Sequence, residues 1–172
     1  DIMKRATNTD PEADQIALIE TEEIASQATV ATNGAGNKVE RHMEKEIIHI
    51  PNLSELLDQV GVPLSPVVKA GDFLFVSGIP PLDLENAVML RGDIETQTEQ
   101  VLKNIQYALE SAGSSLDKVV KTNVFVTNAA YFKVINEIYR CYFPDKPPAR
   151  TFVAMSSWPM EFDIEIECIA IA

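Results

Sequence analysis

Residues 94–127, IETQTEQVLKNIQYALESAGSSLDKVVKTNVFVT, contain the clearest structural pattern of the chain. The first part carries apolar side chains at three- and four-residue steps, namely Ile94, Val101, Ile105, Ala108, Leu109 and Ala112. This spacing predicts an amphipathic helix over 94–112, and Gly113 supplies its stop. Val119 to Thr127 is rich in β-branched residues and predicts a strand. Because the apolar face of the helix must be covered, we predict that it lies on a sheet containing this strand.

The patterns on either side predict further strands and helices. The predicted strands are 46–50, 67–69, 73–77, 87–90, 150–156 and 162–172. Ser54 is the predicted N-cap of a short helix that ends at Gly61, and Asn128 caps a second long helix that ends at Pro144. From residue 67 onward the predicted order is β-β-β-α-β-α-β-β, with no internal repeat. It indicates an α+β fold with one mostly antiparallel sheet and two helices on one face.

The last predicted strand has two unlike faces. One face carries Phe162, Ile164, Ile166, Cys168 and Ala170, and the other carries Asp163, Glu165, Glu167, Ile169 and Ile171. A monomer would expose Ile169 and Ile171 beside carboxylates. An oligomer that packs sheet against sheet would bury the aliphatic side chains and enclose the acids. We therefore predict an oligomer.

Composition excludes several classes of function. With 14 basic and 26 acidic residues among 172, the net charge is −12, and no Lys/Arg cluster offers a nucleic-acid surface. No apolar run reaches the ~20 residues of a membrane span. The two histidines, His42 and His49, and the two cysteines, Cys141 and Cys168, have no metal-ligand spacing, so no metal site is expected. The cysteine count favours a reducing, cytoplasmic location.

The first 45 residues differ from the rest. They are rich in Ala, Thr and Glu, with an apolar pattern between Ile16 and Ala25 that suggests an amphipathic helix, and Gly34 to Asn37 suggests a flexible joint. They are too acidic for a transit peptide and lack the apolar stretch of a secretory signal. We divide the chain into an acidic extension, 1–45, to which we assign no function, and a domain, 46–172.

Four separated stretches of this domain match a known family in order and spacing. They are Ala70–Gly78 (AGDFLFVSG), Val120–Val126 (VKTNVFV), Pro148–Thr151 (PART) and Ile164–Ala170 (IEIECIA). Together they resemble the RidA (YjgF) family of reactive-intermediate deaminases. The resemblance implies a chorismate-mutase-like fold and a homotrimer whose sheets form a central barrel, with active sites in the clefts between subunits.

The resemblance also implies a reaction. The family hydrolyses 2-imino acids and enamines such as 2-aminoacrylate and 2-aminocrotonate to 2-keto acids and ammonia, without metal or cofactor. The expected partners are therefore small 2-imino and 2-keto acids and further copies of the chain, with no nucleic acid and no membrane. The family's ribonuclease label conflicts with the net charge of −12.

Two residues carry the implied chemistry. Arg150 matches the family's substrate-binding arginine, whose planar fork suits a carboxylate. Glu165 matches an acidic residue that activates water and returns the proton to the leaving nitrogen, with a pKa raised by burial and opposed by Arg150 nearby. The alternatives are an ion pair for Arg150 and an interface salt bridge for Glu165. Glu167, two residues on, is interpreted as structural.

Other positions match the family's cleft less specifically. Ser77 and Gly78 end the second strand of the hairpin, where Gly78 lets a ligand approach the backbone, although a bulge would explain them equally well. Asn136 is expected to give a supporting hydrogen bond. Phe132, one turn earlier, is interpreted as core packing.

The chain also departs from the family. Val67 stands where many members have a tyrosine, Phe152 where many have a cysteine, and Ile79 where a polar residue is common. These changes predict a more apolar pocket. They keep open a larger substrate such as 2-aminomuconate, or a trimeric protein that binds small ligands or partners without turnover.

Overall fold

The structure, a computed structural model, describes residues 31–32, 38–39 and 44–172. The chain divides into two units, Asp1–Met43 and Glu44–Ala172. In the first unit, strand β1 (Ala31–Thr32) pairs antiparallel with β2 (Lys38–Val39). The helix predicted between Ile16 and Ala25 and the joint at 34–37 lie outside the described residues. The division predicted after residue 45 stays a prediction.

A six-stranded sheet forms the framework of the second unit. Its strands are β3 (Lys45–Ile48), β4 (Val67–Ala70), β5 (Phe73–Ile79), β8 (Val119–Val126), β9 (Ala149–Ala154) and β10 (Ile164–Ile171), in the order β3-β4-β5-β10-β8-β9. The neighbouring strands are antiparallel except β8 and β9, which run parallel. A small hairpin of β6 (Leu82–Asp83) and β7 (Val88–Met89) stands apart from this sheet.

Within residues 44–172, three α-helices accompany the sheet, namely α1 (Leu53–Val60), α2 (Ile94–Ser111) and α3 (Phe132–Tyr142). The periodic face of α2 packs against β5, β10 and α3, and Val101, Ile105 and Leu109 are almost fully buried. The Asp93 side chain accepts a hydrogen bond from the Thr96 amide and caps the first turn of α2. The predicted α+β class is confirmed, with the long helices α2 and α3 on one face of the sheet.

The two faces predicted for the last strand are also confirmed. Ile164, Ile166, Cys168 and Ala170 are buried on the side of the helices, and the alternate residues of β10 are partly or well exposed on the other. The sheet face opposite α2 and α3 also exposes large apolar side chains on the neighbouring strand β5, namely Phe73 and Phe75. Such a surface supports the predicted oligomer, which remains a prediction.

Two predicted helix caps are wrong in detail. Ser54 lies inside α1, and its hydroxyl accepts a hydrogen bond from the Ile50 amide instead of capping the helix, while Asn52 holds the N-cap position. The Asn128 side chain caps the Ala130 amide of a short 3-10 helix, Ala129–Tyr131, which leads into α3. Both differences arise because a polar side chain can bond to backbone on either side of a helix start.

No helix among the described residues is both long and apolar enough to cross a membrane. Residues 31–32, 38–39 and 44–172 likewise contain no cluster of three or more His, Cys, Asp or Glu side chains arranged to hold a metal ion. Neither Cys141 nor Cys168 is in a disulfide.

Candidate active site

Arg150 is held at the helix-covered side of the edge strand β9. Its Nη2 donates a hydrogen bond to Asn136 Oδ1 at 2.6 Å, and its guanidinium carbon lies 4.7 Å from the centre of the Tyr139 ring and 5.8 Å from that of Phe132. One polar bond and two aromatic faces fix the fork of the guanidinium. Among residues 44–172, no carboxylate oxygen lies within 4.0 Å of it.

An open cavity of about 580 Å³ adjoins this arginine. Besides Arg150, Asn136 and Tyr139, it is lined by Arg140, Phe143, Pro144, Pro147 and Pro148. The proline-rich segment before β9 therefore forms a wall beside the guanidinium. With remaining N–H donors free of a carboxylate partner in the described chain, Arg150 can bind an anionic group of a ligand.

Tyr139 lies between the Arg150 guanidinium and the core. Its ring contacts the guanidinium, and its hydroxyl is 2.8 Å from Thr122 Oγ1. Burial raises the pKa of Tyr139, which keeps the phenol neutral. The periodicity of α3 predicts Tyr139 on the apolar face of the helix, one turn after Asn136, but no local pattern predicts its contact with Arg150.

The change Tyr139→Phe should cost about 1 kcal/mol of unfolding free energy, because it leaves the buried Thr122 hydroxyl unpaired while keeping the ring under Arg150. Adding Thr122→Val to this variant should cost little more, since the hydroxyl that it removes has already lost its partner. Urea unfolding of the two single variants and the double variant measures the coupling. Fully additive losses would contradict the pairing.

Glu165 and Gly78 meet at the end of β5. The pairing of β5 with β10 shifts register between Ile166 and Cys168, so that Ser77 and Gly78 lie opposite Glu167 as a bulge. Gly78 approaches Glu165 so closely that a β-carbon at position 78 would overlap its carboxylate, with Oε1 the nearest atom. The bulge, one of the two interpretations of Ser77 and Gly78, is therefore present, and it brings the backbone against the predicted catalytic acid.

Burial and, to a lesser extent, the Glu167 carboxylate raise the pKa of Glu165 to about 7. Arg150 of the same chain does not contribute, contrary to the expectation that it would oppose the shift. Glu167 itself accepts a hydrogen bond from Asn123 Nδ2 at 2.5 Å, which fits the structural role expected of it. A carboxyl group with a pKa near neutrality can both accept and donate a proton at pH 7.

Replacing Gly78 by alanine should cost about 1–3 kcal/mol of unfolding free energy, because the new methyl group overlaps the Glu165 carboxylate. The second change Glu165→Ala removes the overlapping atoms, so the double variant should recover most of the loss. Denaturant unfolding of both variants, with Glu165→Ala alone as the control, tests this. A Gly78→Ala protein as stable as the parent would refute the close approach.

A largely apolar cavity of about 260 Å³ opens next to Glu165. Ser77 and Glu165 are the polar side chains among the residues that line it, and α1, the β6–β7 hairpin and Met160 provide much of the rest. Ser77 Oγ is already engaged, since it donates to the Ser65 carbonyl at 2.8 Å. Ile79 lines this cavity as well, in line with the predicted apolar character.

Arg150 and Glu165 do not meet within one chain. In the register of β9 with β8, Arg150 lies opposite Thr122, whose side chain is buried against Tyr139. Glu165 lies between Ile164 and Ile166, and the side chains of these two residues point towards α2 and α3. Residues paired across strands share a face, and successive residues alternate. The two predicted functional residues therefore lie on opposite faces of the sheet, each beside its own cavity.

Three other predictions are corrected or refined. Val67 does not line either cavity; it is fully buried and pairs with Val76, because the first residue of β4 points into the core. Phe132 is 48% exposed and therefore does not belong to the core. Its ring packs edge-to-face with that of Phe152, with 5.0 Å between the ring centres. Phe152 thus lies on the Arg150 side, while Ser77 and Gly78 lie on the Glu165 side.

Neither Cys141 nor Cys168 is among the described residues that line these two cavities. Cys168 is buried on the helix-covered face, and burial raises the pKa of its thiol to about 12. A thiol with so high a pKa is not ionised near neutral pH. The groups best suited to proton transfer and to binding an anion at these two places are the Glu165 carboxyl and the Arg150 guanidinium.

Comparison with known proteins gives a consistent result. The family profile described as Endoribonuclease L-PSP matches residues 49–172. A RutC family protein of Pyrococcus horikoshii is 41% identical over 126 residues, which cover 73% of this chain and 97% of that protein. Reactive Intermediate Deaminase A, a chloroplastic protein of Arabidopsis thaliana, is 42% identical over 108 residues, and these span 63% of this chain and 58% of the Arabidopsis protein.

Solved structures share the fold. The crystal structure of a member of the conserved Rid protein family from Yersinia pestis superposes with a TM-score of 0.68 and 36% sequence identity, covering 75% of this chain and all of that one.

Proposed function

The chain belongs to the Endoribonuclease L-PSP family, which is the RidA/YjgF family, and on that premise we propose that it hydrolyses 2-imino acids and their enamine tautomers to 2-keto acids and ammonia. The observation that carries the proposal is Glu165, a half-buried carboxyl group with its pKa raised to about 7 beside an open cavity. The proposed reaction needs no cofactor, and its partners are small 2-imino and 2-keto acids. The expected location is a reducing cytoplasm.

The proposed reaction proceeds in steps that Glu165 can serve. The enamine first takes up a proton at C3 and becomes the iminium ion. The Glu165 carboxylate then accepts a proton from water as the water oxygen bonds to C2, and the C=N π electrons move to nitrogen, which becomes a neutral amine. Glu165 returns its proton to that nitrogen, the C–N bond breaks with its electrons on ammonia, and C=O forms with loss of the hydroxyl proton.

Arg150 is proposed to bind the substrate carboxylate. Its free donors and its fixed orientation suit a two-point contact with a planar anion, and this would hold C2 at a constant place. Because Glu165 lies on the opposite face of the same sheet, one chain cannot use both residues on one small substrate.

We therefore propose that the active protein is a homotrimer in which Arg150 of one chain meets Glu165 of the next. The exposed apolar side chains of the sheet face opposite α2 and α3 support association, since a monomer would leave them in water. A central barrel formed by three such faces would bury them.

Light scattering should give a mass of about 57 kDa, three times the 19.0 kDa chain. A 19 kDa particle at micromolar concentration would contradict the shared site.

The activity can be tested with short-lived substrates made in place. Threonine dehydratase acting on serine or threonine releases 2-aminoacrylate or 2-aminocrotonate, and keto-acid formation is followed with and without this protein. Acceleration in proportion to the protein added would support the proposal. A trimer that binds pyruvate or 2-oxobutyrate but gives no acceleration would favour the alternative of a ligand-binding protein.

A further inference from the structure

The apolar cavity beside Glu165 has room for more than the reacting atoms. Its volume is about 260 Å³, and an apolar cavity of ~150 Å³ holds a benzene ring. Three side chains of α1, Leu53, Leu56 and Leu57, line it together with Val60 at the helix end. Such a lining favours hydrocarbon over water.

The groups of a 2-imino acid can be assigned to their places by elimination. The imine carbon carries a nitrogen, a carboxylate and a side chain. The nitrogen must stay within reach of Glu165, which returns the proton to it. The carboxylate is repelled by Glu165, and no Lys or Arg lines the cavity among the described residues. The side chain is the group left to enter the cavity.

We propose that the cavity lined by α1, the β6–β7 hairpin and Met160 is a side-chain subsite that makes this protein selective for 2-imino acids with a branched aliphatic or aromatic side chain. This inference rests on the proposed deaminase function and deepens it. Two flexible thioethers, Met89 and Met160, line the cavity and can adapt to side chains of different shape. A dicarboxylate such as 2-aminomuconate would place a second charge in this apolar space and is therefore disfavoured.

The test compares imines that differ only in side chain. An L-amino acid oxidase converts leucine, phenylalanine, alanine and glutamate to their 2-imino acids, and semicarbazide traps what is not hydrolysed. We expect kcat/KM at least about tenfold higher for the imines from leucine and phenylalanine than for the one from alanine. The glutamate-derived imine should be the poorest of the four.

A variant of the cavity provides the second arm. Val60 and Met160 are 63% and 53% exposed, so Val60→Ser with Met160→Gln should leave the protein folded. This double variant should lower the leucine-to-alanine ratio of kcat/KM about tenfold. Val88→Ser is the matched control, because Val88 is 51% exposed on the hairpin and does not line the cavity. The control should keep the parental ratio.

Failure of the inference differs from failure of the function. Hydrolysis of all four imines with a ratio near one would overturn the subsite and leave the deaminase in place. If no imine is hydrolysed, calorimetry of keto-acid binding decides. Tighter binding of 4-methyl-2-oxopentanoate than of pyruvate would support the subsite, provided that the double variant weakens it. Equal affinities, or no binding, would overturn the subsite. The double variant could instead change the oligomer mass or the melting temperature and leave the selectivity unchanged. That result would mean that side chains of a neighbouring subunit fill the cavity, and it would also overturn the subsite.

Discussion

Alanine at position 150 is expected to lower kcat/KM for imine hydrolysis at least about a hundredfold, because the proposed clamp on the substrate carboxylate is lost. Loss of a charge-assisted contact costs about 2–3 kcal/mol, and misorientation of the imine carbon adds to this. Most of the effect should appear in KM if the contact is equally strong throughout the reaction. Arg150→Lys should recover little, since an ammonium group lacks the planar fork.

The control for this change is Arg91→Ala. Arg91 is well exposed and pairs with Glu161 at 2.8 Å, so its loss should leave the rate within about twofold of the parent. Full activity of Arg150→Ala would show that another group binds the carboxylate.

The second large effect is expected from Glu165→Gln. The amide keeps the shape of the side chain but cannot accept the proton of the attacking water, so kcat/KM should fall about 10²- to 10⁴-fold. In the parent, kcat/KM should rise with pH through about 7, where the carboxyl ionises, and then level off. The residual rate of the variant should lack this rise.

Glu167→Gln is the matched control on the same strand. Glu167 is among the groups that raise the pKa of Glu165, so its neutral replacement should move the pH profile to lower pH and keep the plateau rate. A profile that keeps its inflection near pH 7 in Glu165→Gln would assign the titration to another group.

The substitution Glu165→Gln should also change the stability of the fold. Because the pKa of folded Glu165 lies above its ordinary value of 4.5, folding favours the protonated acid. The stabilisation is complete below about pH 4.5 and is lost as the pH rises through about 7. Glu165→Gln should therefore be more stable than the parent at pH 8 by about 1 kcal/mol, a value discounted for partial exposure, and similar to it at pH 4.

Mixing the two inactive variants tests whether subunits share the site. If Arg150→Ala and Glu165→Gln chains are unfolded together and refolded into mixed trimers, an interface that joins an intact Arg150 to an intact Glu165 arises by chance. Random assortment gives about a quarter of the interfaces this composition, so about a quarter of the parental activity should return. Mixtures that stay inactive, although mass measurements show mixed trimers, would contradict the shared site.

Much of the fold follows from local pattern. The steps of three and four residues in 94–112 and the alternation in 162–172 determine which side chains face the core, since these periods belong to the helix and the strand themselves. The motifs around Gly78, Arg150 and Glu165 are sufficient to indicate the family from the amino-acid sequence. The caps at Ser54 and Asn128 do not follow in the same way, because short polar side chains can bond to several nearby backbone groups.

The spatial relation between the functional residues follows from tertiary contacts alone. Strand pairing, which joins residues far apart in the chain, places Arg150 beside Thr122 and Glu165 on the other face of the sheet. The bulge at Ser77 and Gly78 depends on the register with β10, and the cavity beside it depends on side chains from α1, the hairpin and Met160 meeting in space. Local sequence determines the face of each strand, whereas register and cavity shape result from contacts between distant segments.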